Sequence, residues 1–233
     1  MQFLVVGATG YVGRNIVVAG LRAGHEVIAH VRPESPTGDR AAAELVSAGA
    51  RVVRTAWTAE AWYRYLEAHP PGRIFLTLGT TASRARQARK AAAPDASQAA
   101  VDLGLTMLAV GAAKTATPET GLVYLSALGA SATGNAYLRV RATVEAALLS
   151  GPNPFTVVRP SVITGPDRAE ARPAERVGAA FGDALAALLR VIGKRRRAAT
   201  LASIPGPDLA RIFVELAAGP LDRRVHELDD FRR

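Results

Sequence analysis

The chain has 233 residues, 29 lysines and arginines against 20 acidic residues, a formal net charge of +9 and no cysteine. That length suffices for one sizeable core, and the lack of cysteine excludes disulfides, thiolate metal sites and a cysteine nucleophile. No apolar stretch approaches the roughly 20 uninterrupted residues that span a bilayer, and the positive charge, though scattered and mostly arginine, suits an acidic ligand such as a phosphate.

Phe3, Leu4, Val5 and Val6 form an apolar run of strand length, after which Gly7, Gly10 and Gly13 recur at every third position and lead into an amphipathic segment. The pattern predicts strand, glycine turn and helix. Gly7 permits a tight exit from the strand, Gly10 lets a pyrophosphate approach bare backbone, and Gly13 lets the helix pack close to the sheet. Phosphates would then meet the N–H groups at the positive end of the helix. The spacing is GxxGxxG rather than GxGxxG, and a glycine-rich turn without ligand is the alternative. The segment before the turn has no basic leader, so no cleaved signal and a cytoplasmic chain are expected.

The helix is expected to end at Gly24, and His25 to Val31 to form the second strand. In a dinucleotide fold, an acidic residue about 20 positions past the glycines binds the 2′-hydroxyl of NAD. None stands here; the strand ends in His30, Val31 and Arg32. An arginine there suits the 2′-phosphate of NADP, and Arg14 can reach the same region. The alternative for both is a solvated surface arginine.

A helix over Arg40 to Gly49, a strand over Arg51 to Arg54 and a helix over Thr58 to His69, stopped by Pro70 and Pro71, follow. Trp57, Trp62 and Tyr63 read as helix packing. Arg73 to Leu78 is the next strand and runs into Gly79, Thr80 and Thr81. Ala82 to Pro94 reads as a loop carrying Arg84, Arg86, Arg89 and Lys90, with no aromatic residue for stacking on a nucleic acid. Helices are expected over Asp95 to Ala113 and from Tyr137, capped by Asn135, to about Leu149; strands over Gly121 to Leu125 and Phe155 to Arg159. Beyond Pro160 the alternation loosens into a connection, an apolar helix around Arg176 to Ile192 and the basic run Lys194 to Arg197. A helix over Asp208 to Ala218 and a strand over Val225 to Leu228 close the chain. Alternating strands and helices require right-handed crossovers and a parallel sheet, hence an α/β doubly wound Rossmann fold in a single domain over 1–233, with a small substrate-side extension at about 160–205.

One constellation stands out for catalysis: Ser126 at a strand end, Tyr137, and Arg141 one helical turn further on the same face. A tyrosine hydroxyl can protonate a carbonyl oxygen when a cation lowers its pKa, and a serine hydroxyl can bind the same oxygen. The bland alternative is an ordinary helix with a surface tyrosine.

GATGYVG at Gly7, Ser126, Tyr137 before a cation, and RPSVITGP from Arg159 resemble the short-chain dehydrogenase/reductase superfamily, in its extended or atypical branch. LGTT at Leu78 to Thr81, with Asp167, Arg168, Glu170, Arg172, Pro173 and Glu175, is more narrowly similar to the Tat-interacting-protein-like atypical reductases. The resemblance implies that Gly7, Thr9, Gly10, Tyr11, Val12, Gly13, Arg14, Arg32, Leu78, Gly79 and Thr80 contact the cofactor and that Ser126 and Tyr137 are the catalytic pair. Arg141 stands where the family has the lysine of YxxxK, a planar fork in place of a point charge. The expectation is an NADP-dependent reductase acting on a small carbonyl or alcohol, with NAD the less favoured cofactor and no metal. Its rival is a dinucleotide-binding regulator with little turnover and a protein partner or homo-oligomeric state; a nucleic-acid or membrane partner is not expected.

Overall fold

The computed structural model describes residues 1–33, 38–79, 98–165 and 202–231. Thr80, Thr81, the cations from Arg84 to Lys90, the acidic and basic residues from Asp167 to Glu175, the helix expected around Arg176 to Ile192 and the run Lys194 to Arg197 lie outside the described residues.

In chain order the elements are β1 (Gln2–Val6), α1 (Tyr11–Arg22), β2 (Glu26–His30), α2 (Gly38–Ser47), β3 (Arg51–Val53), α3 (Ala59–Ala68), β4 (Arg73–Leu76), α4 (Gln98–Ala116), β5 (Gly121–Leu125), α5 (Ala136–Ser150), β6 (Phe155–Arg159), β7 (Ile163–Thr164), β8 (Ile204–Pro205), α6 (Gly206–Ala218) and β9 (Arg224–Glu227). Seven strands make one sheet in the order β3-β2-β1-β4-β5-β6-β9, every pairing parallel. This is a Rossmann-like α/β fold. The order reverses between β1 and β4, and a crevice at that switch, outside the carboxyl ends of the strands, is where such sheets bind ligands.

Strand alternation decides which side chain meets which helix. Phe3, Val5, Phe75, Val123 and Val158 point to one face, where α1, α2 and α6 supply Ile16, Leu45 and Phe213. Leu4, Val6, Leu76, Tyr124 and Val157 point to the other, where α3, α4 and α5 supply Trp62, Ala113 and Val144. Burial on both faces explains why the strands read as continuous apolar runs. Trp62 is fully buried and stacks on Trp57, while Tyr63, expected to pack, is exposed and bonds Glu67 at 2.9 Å.

Local signals set the helix ends. Gly24, at φ +77, terminates α1 with its N–H on Leu21 O and the His25 N–H on Gly20 O, a left-handed stop that glycine adopts without strain. Thr58 caps α3 and Asn135 caps α5, each accepting a backbone N–H three residues on. Two elements were not expected: β7 and β8, two residues each, pair in parallel as Ile163 with Ile204 and Thr164 with Pro205. Strands that short carry no periodicity, and their pairing is visible only in the assembled chain. Among the described residues no helix is long and apolar enough to cross a membrane.

Candidate functional site

The turn after β1 is shaped by what its glycines omit. Gly7 has φ +95, and a Cβ there would lie 2.8 Å from Thr77 Oγ1. At Gly13 a Cβ would fall 2.2 Å from the Gly7 carbonyl oxygen, so both positions require glycine. Thr77, which the sequence reading passed over, is the buttress: its backbone N–H and its hydroxyl both donate to Val6 O at 2.9 Å, pinning β4 to the end of β1. Gly10 differs. Its φ of −78 suits any residue, and among the described residues a Cβ there would crowd Gly7 O alone, at 3.2 Å, which a shift of a few tenths of an ångström relieves. Gly10 is exposed, and Arg14 N–H to Gly10 O is the first helical bond of α1. Bare backbone therefore faces outward at a helix N-terminus, a cradle that fits a pyrophosphate.

Around that cradle the expected contacts take separate directions. Val12 and Gly13 are buried, so they offer a ligand backbone only. The Tyr11 side chain turns away: its hydroxyl donates to Thr164 O at 3.1 Å, and its ring fills the space that Cβ atoms at Gly165 and Gly206 would need. Arg14 lies exposed on the other side, its Nη2 3.4 Å from Thr9 O and its Nη1 3.5 Å from Glu44 Oε2. At the end of β2, Arg32 is exposed, whereas His30 is buried against Trp57 and Trp62 with Nε2 3.1 Å from Thr55 O. Burial pushes the His30 pKa down to about 4, so it is neutral near pH 7 and the cationic character at this corner comes from the arginines.

On the other side of the switch, α5 presents Tyr137, Arg141 and Glu145 at successive turns toward the ends of β4, β5 and β6. Arg141 is buried and its Nη1 donates to Leu78 O at 3.1 Å, Leu125 O at 3.1 Å and the Tyr124 hydroxyl at 3.2 Å. It thereby ties the ends of β4 and β5 together, and Gly79 leaves it room, since a Cβ there would lie 3.0 Å from Nη2. The guanidinium carbon also stands 5.0 Å from the centre of the Tyr137 ring. Tyr137 is 44% exposed. Burial raises the Tyr124 phenol above its ordinary pKa, against the lowering effect of Arg141, and keeps it neutral.

Ser126 sits two residues past Tyr124 and so faces α5 as well. Its hydroxyl is buried and donates to Glu145 Oε1. Glu145 in turn accepts Arg159 Nε at 2.9 Å and Nη2 at 2.5 Å, a bidentate ion pair across α5 and β6. Glu145 went unnoticed in the sequence, although its place eight residues after Tyr137 on one helical face is legible there. The structure thus brings Tyr137, Arg141 and Ser126 to one edge of the sheet and the glycine turn with Leu78 and Gly79 beside it; Thr80 lies outside the described residues.

Residues 7–186 match the model of a family described as NAD(P)H-binding. The chain belongs to this family. No curated protein matches it by sequence. Among solved structures it is similar in fold to a UDP-glucose 4-epimerase of Thermus thermophilus in complex with NAD, with TM-score 0.65, 17% identity, and 98% of this chain and 77% of that one covered. It is likewise similar to BdcA in complex with NADPH (0.64, 14%, 97% and 91%). A third is ChuY, an anaerobillin reductase of Escherichia coli O157:H7 (0.61, 17%, 97% and 95%). The expectation of a dinucleotide-binding Rossmann protein drawn from GATGYVG therefore holds: this is an NAD(P)-binding protein with the fold of those structures.

The contrast between the glycines gives a direct test of the cradle. Gly10→Val is expected to abolish dinucleotide binding with the melting temperature near that of the parent, because its side chain enters the phosphate space rather than the protein. Retained NADPH binding by a normally melting Gly10→Val variant would place the phosphates elsewhere.

Proposed function

We propose that the chain is an NADP-dependent reductase moving hydride between the dinucleotide and a small carbonyl or alcohol, with the whole of 1–233 acting as a single domain. What carries the reading is one juxtaposition: the exposed Gly10 cradle at the start of α1 opens at the same switch point as the strand ends that Arg141 ties beneath Tyr137. The dinucleotide supplies the hydride. The first-turn backbone of α1, with Gly7, Thr9, Gly10, Tyr11, Val12 and Gly13, takes the pyrophosphate, and Leu78 and Gly79 line its continuation at the end of β4. Arg32 and Arg14 take the 2′-phosphate, for which guanidinium forks are suited. The Tyr137 hydroxyl gives its proton to the reacting oxygen, Arg141 supplies fixed positive charge beside it, and Ser126 lines the same edge.

Cofactor preference is the readiest test. Losing a charge-assisted hydrogen bond costs about 1.5–3 kcal/mol, so Arg32→Ala is expected to weaken NADPH roughly 10- to 100-fold and to leave NADH nearly unchanged in parallel titrations. Equal loss for both cofactors would remove Arg32 from the phosphate site.

A further inference from the structure

Beside the phosphate turn, on the α2 side, lies a cavity of about 100 Å³ whose lining includes Thr9, Arg14, Ala41, Glu44 and Leu45. Two charges of opposite sign face one another there: Arg14 Nη1 stands 3.5 Å from Glu44 Oε2, and Arg40 Nε braces the other carboxylate oxygen at 3.1 Å. The cavity touches the glycine turn through Ala8 and Thr9 and lies against α1 and α2, the helices that cover the β1, β2 and β3 half of the sheet. With a pyrophosphate on the N-terminus of α1, the adenosine half of a dinucleotide runs over that half.

Among the described residues that follow β2, Val31 to Pro33, none is a carboxylate, and Glu44 brings one to this corner from the following helix. We infer that Glu44 is a specificity-determining residue of the dinucleotide site: its carboxylate accepts the hydroxyls of an unphosphorylated adenosine ribose and opposes a 2′-phosphate, against the attraction of Arg14 and Arg32. The inference rests on the reading above, that Arg14 and Arg32 meet the 2′ position of the adenosine ribose. A 2′-phosphate reaching Arg14 has to share that guanidinium with Glu44 and meets a like charge; a ribose diol meets an acceptor already held in place by Arg40. Glu44 thus narrows the margin between the two cofactors, which Arg32 alone would set wide in favour of NADPH.

The experiment is a titration of NADPH and of NADH into the parent, Glu44→Gln and Arg40→Ala proteins at low ionic strength, with melting temperatures alongside. Glu44→Gln removes the repulsion between a carboxylate and a phosphate dianion, so NADPH is expected to tighten about 10-fold and NADH to weaken about 3-fold. Arg40→Ala leaves Glu44 less neutralised and is expected to move NADPH the other way, by about 3-fold. High salt should shrink both shifts, since Arg14 and Glu44 are half-exposed and Arg40 is almost fully so. Both cofactors bound by the parent, with the NADPH to NADH ratio unmoved in Glu44→Gln and Arg40→Ala, would overturn the role of Glu44 and leave the dinucleotide reading standing. Neither cofactor bound by the parent would overturn both.

Discussion

Tyr137→Phe is expected to lower turnover of an accepted carbonyl by about 10²- to 10⁴-fold while leaving NADPH affinity unchanged, because it removes only the proton that the developing alkoxide takes. The measurement is steady-state reduction across a panel of small carbonyls, with dinucleotide titration as the control. Arg141→Lys belongs to the same experiment. Nη1 of Arg141 serves three oxygens, those of Leu78, Leu125 and the Tyr124 hydroxyl, and an ammonium has three N–H donors on one nitrogen to offer them. The lysine variant is therefore expected to fold, bind NADPH and keep or raise the parent rate, its point charge replacing a planar head group 5.0 Å from the centre of the Tyr137 ring. A panel that stays blank for parent and lysine variant alike, with NADPH bound, would replace the reductase by a dinucleotide-binding regulator.

The second large effect is on stability. Glu145→Ala is expected to cost about 2–3 kcal/mol in urea unfolding, below the full penalty for breaking a buried ion pair because the stranded Arg159 is only part-buried. The loss strands Arg159, whose pKa the bond to Glu145 raises, and frees the Ser126 hydroxyl from its acceptor. Replacing Glu145 and Arg159 together by leucine and methionine should restore most of the stability, since no uncompensated charge remains. A loss below about 1 kcal/mol for the single variant would mean that water or another cation takes over, as in an exposed salt bridge.

Much of this protein was legible in the chain. The bounds of β5 and β6 agree to the residue, and α1, α3 and α5 start where the glycine turn, Thr58 and Asn135 indicated, because a cap or a glycine acts on backbone groups within one turn of itself. The alternation of strands and helices likewise implied the parallel, doubly wound sheet. The glycine turn was readable for the same reason: Gly7, Gly10 and Gly13 act within seven consecutive positions.

What the chain alone could not convey is which side chain meets which across the strand ends. Ser126 reads as a free catalytic hydroxyl until the sheet puts it against Glu145, 19 residues away, and Arg159 reads as part of a motif until β6 lies beside β5 and brings it to the same carboxylate. Arg141 reads as a lysine substitute beside Tyr137, yet its bond to Leu78 O spans 63 residues and exists because β4 and β5 are neighbours in the sheet. Glu44 likewise meets Arg14 only in the folded chain, from a different helix. Propensity, capping and periodicity act between near neighbours and are written locally. Partners of charged and hydroxyl groups are chosen by strand order and by the face each residue points to, and these arise only when the apolar runs have been buried together.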